Sequence, residues 1–202
     1  MCALSDGDTL RYKGFLFISR PVPDAVKARM HGCSMPEKAT IGFEDLRYLT
    51  VFHYDYDGQI EEGELVCNKA IAHDLLCFFR ALFSQEYPIN SICLVDDYEA
   101  SDEASMQANN TSCFNYRTIA GSKTLSKHAF GMAIDVNPME NPCVSGSFVQ
   151  PKTAKEYVDR TKDFPHKIDE NDFCKKVFES YGFIWGGHWR SVKDYQHFEK
   201  QR

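Results

Sequence analysis

The sequence predicts an α+β protein with a central antiparallel sheet and flanking helices. Three observations predict it. Short segments rich in β-branched and aromatic residues, closed by turn signals, occupy the first third of the chain. Two segments, 69–87 and 172–181, carry apolar residues at helical spacing. No repeat, low-complexity tract or linker interrupts the run of elements, so residues 1–202 read as a single domain with one core.

Taken in order, 13–20 (KGFLFISR) reads as a short strand stopped by Pro21 and Pro23, and 24–32 as a helical turn or two. Residues 49–56 (LTVFHYDY) form a strand that ends at the Asp57-Gly58 turn signal, with 64–67 as the returning strand. Asn68 is a fitting N-cap for a long helix that buries Ile71, Leu75, Phe78, Phe79 and Leu82 and stops before Pro88. Ile92 to Val95 reads as a buried strand, and 96–112 as a polar loop, long enough to be functional rather than idle. Near the C-terminus, 172–181 is an amphipathic helix with Gly182 at its C′ position, and 183–185 resumes a strand.

Composition narrows the function classes. The net charge of −6, with no long Lys/Arg cluster, argues against nucleic acid or anionic lipid as a partner. No apolar run reaches membrane-spanning length, so no transmembrane segment is expected. The N-terminal stretch lacks the pattern of a signal peptide, and Cys2 after Met1 is only a faint echo of a lipoprotein start. The eight cysteines are scattered without a CxxC pair and read mostly as reduced, buried small hydrophobes. The acidic run Asp96, Asp97, Glu99, Asp102, Glu103 reads as a solvated loop, with a calcium cage as the lesser alternative. Asn109 and Asn110 each begin an N-x-[ST] sequon of little weight.

Two stretches carry chemistry. In the first, SKHAFGMAID (126–135), alternation from Gly131 onward puts Met132, Ile134 and Val136 on one face of a strand and Ala133 and Asp135 on the other. His128 lies seven residues before Asp135. On a straight helix the two would sit about 10 Å apart, and on a straight strand about 23 Å apart and on opposite faces. A shared ion therefore needs the chain to fold back, and Gly131 supplies the permissive backbone. Spacing alone leaves open a surface pair or a simple hydrogen-bonded pair.

The second stretch runs from Trp185 to Glu199 and holds both tryptophans of the protein, with His188, Trp189, Asp194 and His197. Aromatic walls beside polar groups suit a ligand cleft, although a well-packed C-terminal strand fits the same composition. Two histidines and a carboxylate meet the needs of a catalytic zinc, which keeps three protein ligands and one open position. A further carboxylate, Asp194, stands three residues from His197, where it can accept a proton from water.

SKHAFGMAID resembles the SxHxxGxAxD motif of the M15 zinc peptidases, the group of D-alanyl-D-alanine carboxypeptidases and dipeptidases, VanY-like enzymes and endolysins cutting L-alanyl-D-glutamate bonds. DYQHFE (194–199) resembles the second motif of that family, in the branch with Asp rather than Glu before the last His. The resemblance is good over about 90–200 and loose over the first third.

It implies a hedgehog/DD-peptidase-like fold, one Zn2+ per chain held by His128, Asp135 and His197, and Asp194 as catalytic base. It further implies Arg117 as the arginine that binds substrate or oxyanion, with Ser126, Trp189 and His188 at the substrate. The function implied is hydrolysis of a peptide bond in peptidoglycan stem peptides by a monomer in the bacterial cell envelope or secreted. A cytoplasmic or phage-encoded lysis protein is the alternative setting. Because hedgehog signalling domains share the fold, a non-catalytic zinc-containing binding domain is the alternative function, and an amidase or esterase on the same zinc chemistry is a third.

Overall fold

The computed structural model describes residues 7–201. Cys2 and the rest of the first six residues lie outside it. Strands β1 (Asp8–Tyr12) and β2 (Phe15–Arg20) form a hairpin whose two turn residues, Lys13 and Gly14, both have positive φ. That is the twist-matched geometry of a tight hairpin. After α1 (Asp24–Met30) the chain returns in β3 (Leu46–Tyr54) and β4 (Ile60–Asn68), again antiparallel. At the Asp57-Gly58 turn the Asp55 carboxylate accepts the backbone N–H groups of Asp57 and Gln59, the local bonding that makes Asp a turn residue. The result is a four-stranded meander in the order β1-β2-β3-β4.

Helix α2 (Ala72–Ser84) covers one face of this sheet with Leu75, Leu76, Phe78, Phe79, Leu82 and Phe83, all buried. Phe83 meets Phe15, Phe17 and Tyr54 of the sheet with ring centroids 5.0, 5.8 and 5.0 Å apart. A second, smaller apolar cluster joins Val26 and Met30 of α1 to Leu46, Val66, Leu94 and Phe114. Beyond α2 come α3 (Asp102–Gln107), β5 (Ala133–Asp135), the hairpin of β6 (Cys143–Ser145) and β7 (Phe148–Gln150), and α4 (Phe173–Ser180). Three short strands close the chain: β8 (Ile184–Trp185), β9 (Lys193–Asp194) and β10 (His197–Glu199). They complete two small antiparallel sheets, β5-β10-β8 and β7-β6-β9.

The small sheets are fastened to the helical layer by aromatic rings. Phe78 of α2 stacks on Phe178 of α4 at 3.6 Å, and Phe178 stacks on Phe198 of β10 at 4.3 Å. All three are fully buried, each contributing roughly 1.5–3 kcal/mol of hydrophobic stabilisation. Because β10 alternates faces, the residue that enters this stack is flanked by two, His197 and Glu199, that face the other way.

The antiparallel α+β expectation holds, and the differences have local causes. Asn68 ends β4 and does not cap α2: its side chain bonds Phe130 O and Ala70 N, and the helix starts after Ile71. Residues 92–95 stay extended only briefly before turning into a 3-10 helix at Val95–Tyr98, because Asn110 takes both polar groups of the Cys93 backbone. The acidic run is not a solvated loop. Asp96 accepts two hydrogen bonds from Ser34, Asp97 pairs with Arg29, and Asp102 starts α3. Both sequon asparagines are buried, Asn109 against Glu140 and Asn110 against Ser105. The seven described cysteines are free.

Candidate active site

The site is built where three segments meet. Ser126 caps a 3-10 helix, Lys127–Phe130, by accepting the His128 N–H. Gly131, at φ +63°, then turns the chain back into β5. A side chain there would lie 2.6 Å from the Asn68 backbone nitrogen, so both the turn and the close approach to β4 require glycine. This is the fold-back that the His128–Asp135 spacing demanded. On β10, His197 is the direct cross-strand partner of Asp135.

The three side chains converge at full burial. His128 Nε2 lies 3.2 Å from Asp135 Oδ2 and 3.2 Å from His197 Nδ1, and His197 Nδ1 lies 2.9 Å from Asp135 Oδ1. Ligands about 2.0–2.2 Å from a tetrahedral zinc stand about 3.3 Å from one another, so this triangle matches the ion. The far side of each ring is tied as well. His128 Nδ1–H donates to the Cys113 carbonyl at 2.6 Å, and His197 Nε2–H donates to Glu199 at 3.2 Å. Each bond sets the tautomer that turns the other nitrogen's lone pair into the triangle.

The electrostatics also call for a cation. Burial opposes charge on both Asp135 and His197, but His128 and His197 outweigh it on Asp135, and Asp135, Glu199 and Asp194 outweigh it on His197. Asp135, beside two imidazoles, is held well below the usual carboxylate range. His197, between Asp135 and Glu199, is pushed up to about 10. A metal ion placed there takes over the role of that proton, as ligand sets generally require.

Asp194 stands on β9, three residues before His197. Its Oδ1 oxygen is sealed from solvent and has no hydrogen-bond partner. Burial, reinforced by Asp135 and partly offset by the two imidazoles, raises its carboxyl to about 6. An orphaned buried carboxylate oxygen is costly, and a pKa shifted toward neutrality is typical of catalytic acids and bases. Gly186 makes room for it: a Cβ there would meet the Asp194 carbonyl at 2.6 Å and the Asp194 Cβ at 2.9 Å.

All these groups open onto one cleft of about 980 Å³. Its walls include Arg117, Ser126, Trp189 and Glu199 together with the apolar side chains Met106, Leu125, Phe130 and Phe148. Trp189 stands with its ring 5.1 Å from that of His197. Arg117 brings its Nε within 2.8 Å of Asp102 Oδ1.

The comparisons with known proteins bear on this cleft. Residues 120–200 match a family model described as D-alanyl-D-alanine carboxypeptidase, a class of M15 peptidases. Residues 120–200 are thus similar to the M15 peptidases. The M15 segment holds His128, Asp135, Asp194 and His197, whereas Arg117 lies just before it. No curated protein and no solved structure matched the chain.

Among the residues singled out in the sequence, His128, Asp135, His197, Asp194, Arg117, Ser126 and Trp189 come together in the cleft. His188 does not. Its ring lies outside the lining, exposed, with Nε2 2.9 Å from Glu170 and its edge against Trp185. The Trp185–Trp189 segment turns through a 3-10 helix, which sends Trp189 inward and His188 outward. Sequence reasoning missed Asp102 and Cys143 as lining residues. Asp102 read as part of a solvated acidic run. Cys143 faces the site only because β6 pairs with β9 in the register Cys143↔Asp194, which no local pattern announces.

Proposed function

We propose that the chain, acting as a single monomeric domain, is a zinc-dependent peptidase of peptidoglycan stem peptides, either a D-alanyl-D-alanine carboxypeptidase or an L-alanyl-D-glutamate endopeptidase. The observation that carries this reading is the buried His128–Asp135–His197 triangle, beside an Asp194 carboxylate with one unpartnered oxygen and inside the M15-like segment. Two imidazoles and one carboxylate at these separations suit zinc and leave a coordination position open toward the cleft. When bound, zinc supplies a Lewis acid for the scissile carbonyl and lowers the pKa of water toward neutrality.

The chain's own residues do the rest. Asp194 takes a proton from the attacking water and delivers it to the leaving amine, the work of a carboxylate whose pKa lies close to the working pH. The Arg117 guanidinium steadies the developing oxyanion or a substrate carboxylate. Trp189 and the apolar wall exclude water from one side of the reacting bond. Ser126 acts on the substrate indirectly, by fixing the helical turn that bears His128. The setting that suits such an activity is the bacterial cell envelope or the lysis stage of a phage, and no helix among the described residues is long and apolar enough to cross a membrane.

Metal analysis of the purified protein tests the first half of this reading. About one zinc per chain is expected, and a strong chelator should abolish hydrolysis until zinc is returned. Protein refolded with zinc that holds no transition metal would end the proposal.

A further inference from the structure

Arg117 is held in an unusual way. Its Nε is sealed from solvent and lies 2.8 Å from Asp102 Oδ1, yet the N–H direction falls outside hydrogen-bond geometry. The contact is one of charge at short range. No hydrogen bond or ion pair among the described residues takes Nη1 or Nη2, so the outer edge of the guanidinium is left for a ligand in the cleft. Asp102 also lines that cleft and keeps no other side-chain partner.

Both members of the pair are set on braced backbone. Asn115, two residues before Arg117, donates through Nδ2 to the carbonyl of Ala100, two residues before Asp102. The Arg117 carbonyl accepts the N–H of Ser126, the residue that caps the His128 turn. Helix α3 is pinned at its start by the Ser101 cap and, through Glu103, to the N–H of Lys152 beyond the β6–β7 hairpin. The carboxylate, the guanidinium and the turn that bears His128 therefore form one connected unit.

We propose that Asp102 is a positioning residue of this enzyme, which fixes the Arg117 guanidinium by its Nε edge so that the Nη edge faces the reacting peptide. The inference rests on the assignment of Arg117 to substrate or oxyanion. A guanidinium on a free side chain samples many rotamers, and a site 1 Å too loose loses much of its catalytic effect. Asp102 supplies the restraint without touching the substrate.

Two readouts test this. In nitrogen-resolved NMR of arginine side chains, the Arg117 Nε–H signal, assigned by its loss in Arg117→Lys, should be sharp and protected in the wild-type protein and broadened or exchanged in Asp102→Asn. On a short peptide ending in D-Ala-D-Ala, Asp102→Asn should lower kcat/KM by about 10- to 100-fold, with zinc content and thermal midpoint unchanged and activity partly restored in Asp102→Glu. Added to Arg117→Ala, Asp102→Asn should cost nothing further, because the two residues act as one unit. An unchanged Arg117 signal in Asp102→Asn, or fully additive kinetic losses, overturns the positioning role. If Arg117→Ala alone leaves turnover intact, the assignment of Arg117 fails, and the role of Asp102 fails with it.

Discussion

Two carboxylates that line one cleft, Asp135 and Asp194, have opposite surroundings. Asp135 is locked between two imidazoles, while Asp194 keeps an oxygen with no partner. Replacing Asp194 with Asn should leave zinc and fold in place and lower kcat by about 10²–10⁴, the usual contribution of a positioned general base. Loss of zinc from that variant would make Asp194 a ligand instead. The direction of the pH dependence follows from the same group. Its carboxyl is raised to about 6, and a base works only when ionised, so kcat/KM should fall as pH drops through the Asp194 ionisation. Zinc beside the carboxylate moves that limb to lower pH, and Asp194→Asn should remove it. A second residue-scale outcome concerns Glu199. Exchange for Gln weakens the grip on His197 Nε2–H, so zinc affinity should drop about 10- to 100-fold, readable by competition with a chelating dye. Unchanged affinity would show that His197 is oriented by its strand alone. The His128–Asp135–His197 cluster and the nearby Asp194 were legible in the sequence because a candidate ligand set is a short list of residue types in recognisable motifs. Asp102 and Cys143 were not, since each reaches the cleft through a partner far along the chain.

At the scale of elements, strand β10 ties the candidate metal site to the core. His197 and Glu199 face the cleft while Phe198 completes the stack with Phe178 and Phe78. Truncating Phe198 to Ala should cost about 3–5 kcal/mol of stability and weaken zinc binding together with it, as seen in thermal melts with and without the metal. A large stability loss with undiminished zinc affinity would mean that the site does not depend on this anchor. Gly186 offers a sharper cut. Gly186→Ala drives a methyl into the Asp194 backbone, so turnover should fall by about 10-fold or more while zinc stays bound, and wild-type turnover would show that β9 has room to move. Helices α2 and α4 were legible because 3.6-residue periodicity is a local signal, and Asp172 and Gly182 mark the ends of α4. The small sheets were not. Strands of two or three residues, such as β8 and β9, leave no period to count, and β9 finds its partner far back along the chain, in the register Cys143↔Asp194.

Across the whole molecule, a large sheet-and-helix layer forms the stable platform, and the two small sheets carry the cleft against it. The α+β class follows from patterning, but the division into platform and site does not, because it depends on which short strands pair. Zinc that binds only the folded chain should stabilise it, by about 4 kcal/mol at a thousandfold excess over Kd, so a chelator should lower the thermal midpoint and zinc should restore it. The central claim, that the buried triangle and Asp194 together cut stem peptides, is tested most directly by mass spectrometry of purified muropeptides incubated with the zinc-loaded protein. The expected result is a defined product, loss of the terminal D-Ala or scission between L-Ala and D-Glu, absent with Asp194→Asn and after chelation. Unaltered muropeptides in the presence of protein carrying one zinc per chain would contradict it and leave a zinc-containing binding domain in its place.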